Sequence, residues 1–106
     1  MVSFEDFKKL EIKTAKILEA NDHPNADKLL VLKVEVGDEQ KQIVAGIKGH
    51  YTNEELIGKT IVIIDNLEQA IIRGEESNGM LLATRQAETL SLLTPDKPVA
   101  SGNKVS

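Results

Sequence analysis

An all-β fold, five main strands closed into a small barrel with short helices and a C-terminal extension, is what this 106-residue sequence predicts. Three observations carry that expectation. Leu30, Leu32, Val34 and Val36 alternate with Val31, Lys33 and Glu35, the period-two pattern of a strand with one buried face. Ile61-Val62-Ile63-Ile64 is a β-branched run that favours extended backbone. Between them, Thr52 and Glu55 form a capping-box pattern and Gly58 supplies a C-terminal stop, so residues 53–57 are predicted as one short helix.

The remaining elements follow in chain order. Ser3 and Asp6 read as a helix N-cap pair, and Phe4 and Phe7 put an apolar stripe on a short helical lid that is expected to pack on the body. From Leu10 to Ala20 the chain reads as a strand whose two apolar sets, Ile12 with Leu18 and Ala15 with Ile17, are out of phase, which a β-bulge would reconcile. Asn21 to Asp27 is turn chemistry around Pro24, with His23 as a turn residue and with Asn25 and Asp27 able to bond locally. Gly37-Asp38-Glu39 turns the alternating strand back into Gln40–Ala45, and Gly46 ends that hairpin. Lys59–Asp65, Ser77–Thr84 and Leu90–Leu93 are the last predicted strands. The order of three strands, a short helix and then further strands, with the helix between the third and fourth major strands, suits the OB-fold, a five-stranded barrel whose open face and flanking loops bind oligonucleotides. Residues 1–106 therefore read as one domain, with 93–106 an extended C-terminal arm rich in Pro, Ser, Lys and Gly.

Composition narrows the functional classes. The chain has no cysteine, hence no thiolate nucleophile and no disulfide framework, and its acidic N-terminus and lack of a long apolar run read as a cytoplasmic protein without a membrane span. A net charge of −4 argues against a protein that coats nucleic acid without discrimination, so any RNA site must be a local basic patch. Only Phe4, Phe7 and Tyr51 are aromatic, too few for a base-stacking sheet face, which leaves shape and backbone contacts to folded RNA. His23 and His50 have no metal-ligand spacing, Glu75-Glu76 beside Arg73 reads as a self-compensating surface cluster, and Ser77 has no adjacent base. No catalytic residue, metal or cofactor is expected.

Two segments hold the functional weight. In His23-Pro24-Asn25-Ala26-Asp27-Lys28-Leu29-Leu30, the rigid turn either presents Lys28 at the rim of a sheet face or merely carries it as a solubilising charge. In the second, Asn66 leaves a buried strand, where its amide can meet phosphate and base edges or brace a loop, and Arg73 to Ala83 follows. Ser77 is open to the same two readings. Met80 is either a core residue or a soft contact to a base.

These segments, in this order, resemble the tRNA-binding domain shared by methionyl-tRNA synthetase beta chains and C-terminal domains, free-standing tRNA-binding proteins, and synthetase-associated cofactors. The resemblance spans Phe4-Glu5-Asp6-Phe7 to Pro95-Asp96-Lys97. It implies an RNA face comprising Lys13, Lys28, Asn66, Ser77 and Met80, with Arg73 close by. Where many relatives carry Lys-Pro-x-Lys after the Asn-Leu pair, this chain has Glu68-Gln69-Ala70-Ile71, which implies modest RNA affinity. It also implies a homodimer, with Leu90, Leu92, Leu93, Val99 and Val105 as the candidate contact, which would join two weak sites on one RNA. The expected role is a non-catalytic, sequence-tolerant tRNA-binding module that assists a synthetase, with the methionyl-tRNA synthetase catalytic chain as partner. Met1 and the domain-sized length read as a free-standing chain, although a segment of a longer synthetase would read alike. The alternative is a protein-export chaperone of the same fold that binds unfolded polypeptides.

Overall fold

In the computed structural model, which covers residues 1–106, the chain opens with α1 (Phe4–Phe7), capped by the Ser3 hydroxyl accepting the Asp6 N–H. This turn does not act as a lid. None of its residues is buried, and Phe4 and Phe7 are 70% and 38% exposed, because a single turn has too few side chains to reach the sheet behind it.

The body is a curled half-barrel of five strands whose spatial order is Glu39–Ala45, Leu30–Val36, Ile12–Asp22, Thr60–Ile64 and Met80–Leu81. Strand β1 (Ile12–Asp22) pairs antiparallel with β2 (Leu30–Val36) through its second half and with β4 (Thr60–Ile64) through its first. Its register shifts between Ile17 and Glu19. That bulge puts Ala15, Ile17 and then Ala20 on the buried face and resolves the phase conflict in the sequence. β2 has the expected alternation, with Leu30, Leu32, Val34 and Val36 inside. A two-residue turn, Gly37-Asp38, with Gly37 at φ 63, leads into β3 (Glu39–Ala45), so Glu39 belongs to the strand rather than to the turn.

The other secondary elements fill the ends. Helix α2 (Asn53–Leu56) has the complete Thr52–Glu55 capping box and drives Leu56 into the core beside Ile17, Leu30, Leu32, Ile43, Ile61 and Ile63. A hairpin absent from the sequence reading, β5 (Ala70–Ile72) with β6 (Glu75–Ser77), folds over the outer side of β3. Its turn, Arg73 at φ 54 and Gly74 at φ 93, has positive φ at both central residues as a type I′ hairpin demands. The expected single strand over 77–84 is divided instead. Asn78 and Gly79 break it after β6, β7 (Met80–Leu81) joins β4, and β8 (Ala83–Gln86) turns back into β9 (Thr89–Leu92).

Two seams close the half-barrel. Across one, Asn78 N–H donates to the Gln42 carbonyl at 2.8 Å and Val44 N–H donates to Ser77 Oγ at 3.0 Å. Across the other lies the C-terminal segment, which is zipped onto β1: Thr14 N–H donates to the Asn103 carbonyl at 2.9 Å, Gly102 N–H to Thr14 at 2.7 Å and Val105 N–H to Ile12 at 2.8 Å. Gly102 lies against Gly37 so closely that a Cβ would come within 2.6 Å of its nitrogen. Leu92 and Leu90 also change role from the sequence reading. Leu92 is buried in the chain's own core and Leu90 packs against it, so neither is free for a second copy, whereas Leu93 and Val99 are exposed.

Candidate nucleic-acid interface

The His-Pro turn and the β5–β6 tip, some fifty residues apart in sequence, meet in space. His23 Nε2 is 2.9 Å from the Ile72 carbonyl, the Arg73 guanidinium donates to the Asn25 carbonyl at 3.0 Å, and the Asn25 amide reaches back toward the Arg73 carbonyl at 3.5 Å. The turn is closed by Asn25 N–H donating to His23 Nδ1 at 2.9 Å, so the histidine, not Asn25 or Asp27, supplies its cap. Lys28, Arg73 and Asn25 thereby line one open cleft of about 410 Å³, together with Ala26, Asp27 and Leu29. No carboxylate oxygen lies within 4.0 Å of Lys28 Nζ or the Arg73 guanidinium, which leaves both charges available to an outside anion.

Lys13 is in different company. On β1 it shares the inward phase of Ala15 and Ile17, as Lys41 shares that of Ile43 and Ala45 on β3, and Asp65 that of Ile61 and Ile63 just past β4. The three converge at one end of the half-barrel. Lys13 Nζ is 3.0 Å from Asp65 Oδ2 and 3.8 Å from Glu11, while Lys41 contacts Asp65 Oδ1 by charge and donates to the Asp65 carbonyl at 2.8 Å. Burial alone pushes the Asp65 carboxyl up, but the contacts of Lys41 and Lys13 outweigh it and hold the group below the usual carboxylate range. The bond to Asp65 in turn raises Lys13. Neither Lys41 nor Asp65 was singled out from the sequence. The signal was there, since charges at strand ends in the buried phase must find partners.

Asn66 and Ser77 are engaged with backbone. Asn66 accepts from Glu11 N–H at 2.9 Å and donates to the Lys9 carbonyl at 2.7 Å, tying the strand exit to the N-terminal segment. Ser77, at 4% exposure, accepts from Val44 and donates to the Gly79 carbonyl at 3.3 Å. Met80, at 47% exposure, borders a shallow groove of about 260 Å³ with Val44, Leu67, Ala70 and Ile72. The loop after Asn66 is exposed throughout, Ile71 at 62%. Among the six expected site residues, then, Lys28 and Arg73 share one cleft, Met80 lines a groove under the same hairpin, and Lys13, Asn66 and Ser77 hold parts of the fold together. No group of three His, Cys, Asp or Glu side chains is arranged to hold a metal ion.

Comparison with known proteins decides the family, because residues 12–104, nearly the whole half-barrel and its strap, match the family model of the tRNA binding domain. This chain belongs to that family. It is 54% identical over 104 residues to a methionine–tRNA ligase of Thermococcus kodakarensis and 50% identical over 105 residues to one of Thermotoga maritima. The matches cover 98% and 99% of the chain but only 14% and 17% of those ligases, so the chain spans about one seventh of the length of such relatives. Among solved structures, the half-barrel superposes on a MetRS-related protein of Pyrococcus horikoshii with a TM-score of 0.92 at 29% identity, covering 100% of this chain and 98% of that one. The CsaA chaperone protein of Picrophilus torridus gives 0.93 at 31%, with full coverage of both chains. The OB-like fold of this chain is shared with these two solved structures. No helix of this family member is long and apolar enough to cross a membrane.

Proposed function

We propose that this tRNA-binding-domain protein is a non-catalytic, sequence-tolerant tRNA-binding module that raises local tRNA concentration for a synthetase, methionyl-tRNA synthetase first among them. The observation that carries the reading is the Lys28–Arg73 cleft, which brings two cations without salt-bridge partners from the two segments that carry the resemblance onto one rim, with Asp27 as the one acidic residue lining it. A net charge of −4 argues against indiscriminate coating of nucleic acid, so binding is assigned to a local basic site, that rim with the neighbouring Met80 groove. Lys13, Asn66 and Ser77 serve the site by positioning: Asn66 and Ser77 anchor the segments on either side of the hairpin, and Lys13 balances Asp65 at the strand exit. The remaining parts of the reading are a cytoplasmic location and a homodimer joined through exposed residues such as Leu93 and Val99, which would let two modest sites act on one tRNA.

A second reading, binding of unfolded polypeptide, is favoured by the likeness to CsaA chaperones and by the apolar groove of Val44, Leu67, Ala70 and Ile72. One titration separates the two. Affinity is measured for total tRNA, duplex DNA, single-stranded DNA and an unfolded peptide over a salt series. The tRNA reading expects tRNA to bind best and to weaken steadily with salt. Tighter, salt-insensitive binding of the peptide would replace it with the chaperone reading.

A further inference from the structure

His23 is 5% exposed yet lies outside the apolar core cluster, so its burial calls for a polar reason. Both ring nitrogens are engaged. Nδ1 accepts from the Asn25 N–H at 2.9 Å, so the ring carries its proton on Nε2, which donates to the Ile72 carbonyl at 2.9 Å. One nitrogen thus shapes the turn that presents Lys28, and the other grips Ile72, the last residue of β5, next to Arg73. Arg73 holds a left-handed backbone conformation at φ 54, uncommon for a residue with a side chain, and its guanidinium gives a single bond to Asn25. Most of its donors remain free for an incoming phosphate.

We propose that His23 is a positioning residue of the RNA site, a latch between the His-Pro turn and the β5–β6 tip that makes Lys28 and Arg73 one preorganised phosphate clamp. The inference rests on the tRNA reading above. Without the latch, the three-residue strands of the hairpin would carry Arg73 on a mobile tip, and ordering it would be charged against binding. The two motifs therefore act as a unit rather than as separate contacts.

The test uses His23→Asn, His23→Gln, Arg73→Ala and the double variant His23→Asn/Arg73→Ala. Asparagine places an acceptor near the position of Nδ1 and keeps the turn cap, but stops short of Ile72; glutamine reaches Ile72 but gives up the acceptor at Nδ1. Expected is a loss of tRNA affinity of about three- to tenfold for His23→Asn and for Arg73→Ala, no further loss beyond about twofold in the double variant, and binding recovered part-way to native for His23→Gln, which keeps the latch and loses the turn cap. In the free protein, ¹⁵N relaxation should show the Arg73 backbone amide loosened by His23→Asn and restored by His23→Gln. A folded His23→Asn protein that binds like wild type, or losses that simply multiply in the double variant, would overturn the proposal. Wild-type protein that binds no tRNA overturns the RNA reading itself, and an Arg73 amide still loosened by His23→Asn then leaves His23 as a latch of the fold alone.

Discussion

Two basic pairs in this molecule have the same kind of charge and opposite circumstances. Lys13 and Lys41 point into the end of the half-barrel and share the Asp65 carboxylate, with Glu11 nearby; Lys28 and Arg73 stand on an open rim with no carboxylate within 4.0 Å. The difference teaches that a lysine's meaning is set by the phase of its strand. In the inward phase a cation must bring its counterion with it, and the group that results belongs to the fold. On a turn, held by backbone bonds from neutral atoms, the charge stays free to meet a ligand.

The comparison breaks most readily at Asp65. Asp65→Ala strands two half-buried ammonium groups, and a loss of about 2–4 kcal/mol in unfolding free energy is expected, read by denaturant titration. The pH dependence has a matching sign. A carboxyl whose folded-state pKa is depressed contributes fully above its unfolded value, near 4, and its contribution declines as pH falls through the folded pKa. Acid destabilisation attributable to this group should therefore disappear from the pH profile of Asp65→Ala. A profile shared by variant and wild type would mean that the cluster does not support the fold.

Next in size are the two residues whose polar atoms serve the seams. Ser77→Ala leaves the Val44 N–H unpaired in a buried site and should cost about 1–3 kcal/mol. Asn66→Ala removes two bonds at a more exposed place and should cost about 1–2 kcal/mol, with faster amide exchange at Glu11. Both should weaken tRNA binding less than they weaken the fold. Were either to abolish binding while leaving the melting temperature unchanged, that side chain would be a direct RNA contact.

These results also bear on how much could be read from the sequence. The strand framework was legible because Leu30–Val36 and Ile61–Ile64 carry strong local patterns, and the β1 bulge because two apolar sets disagreed by one position. Helix α2 was legible from Thr52 and Glu55. The β5–β6 hairpin was not: its strands have three residues each, and its I′ turn is Arg-Gly, where Arg73 is held in positive φ by tertiary bonds rather than by its own preference. Consequently the meeting of Asn25 with Arg73 was hidden, although both residues lie in the two candidate segments. The strap from Ala100 to Val105 was hidden for a similar reason, since its bonds to β1 depend on the close approach of Gly102 to Gly37.

A smaller effect sharpens the comparison from the rim side. Glu68 lies exposed just before the hairpin and Ile71 exposed on its strand β5, so Glu68→Lys alone and with Ile71→Lys should leave stability within about 0.5 kcal/mol. Both variants should tighten tRNA binding and steepen its salt dependence by roughly one to two units in the log–log slope. If both fold normally and bind no better at low salt, the loop after Asn66 faces away from the RNA.

The central claim, that the rim pair meets RNA while the inward pair holds the fold, is tested most directly by tRNA affinity measured over a salt series for the charge reversal Lys28→Glu with Arg73→Glu. The account predicts a folded protein with a nearly unchanged melting temperature, a large loss of affinity, and a log–log salt slope flatter by roughly one to two units. Wild-type affinity and slope in that variant would contradict it.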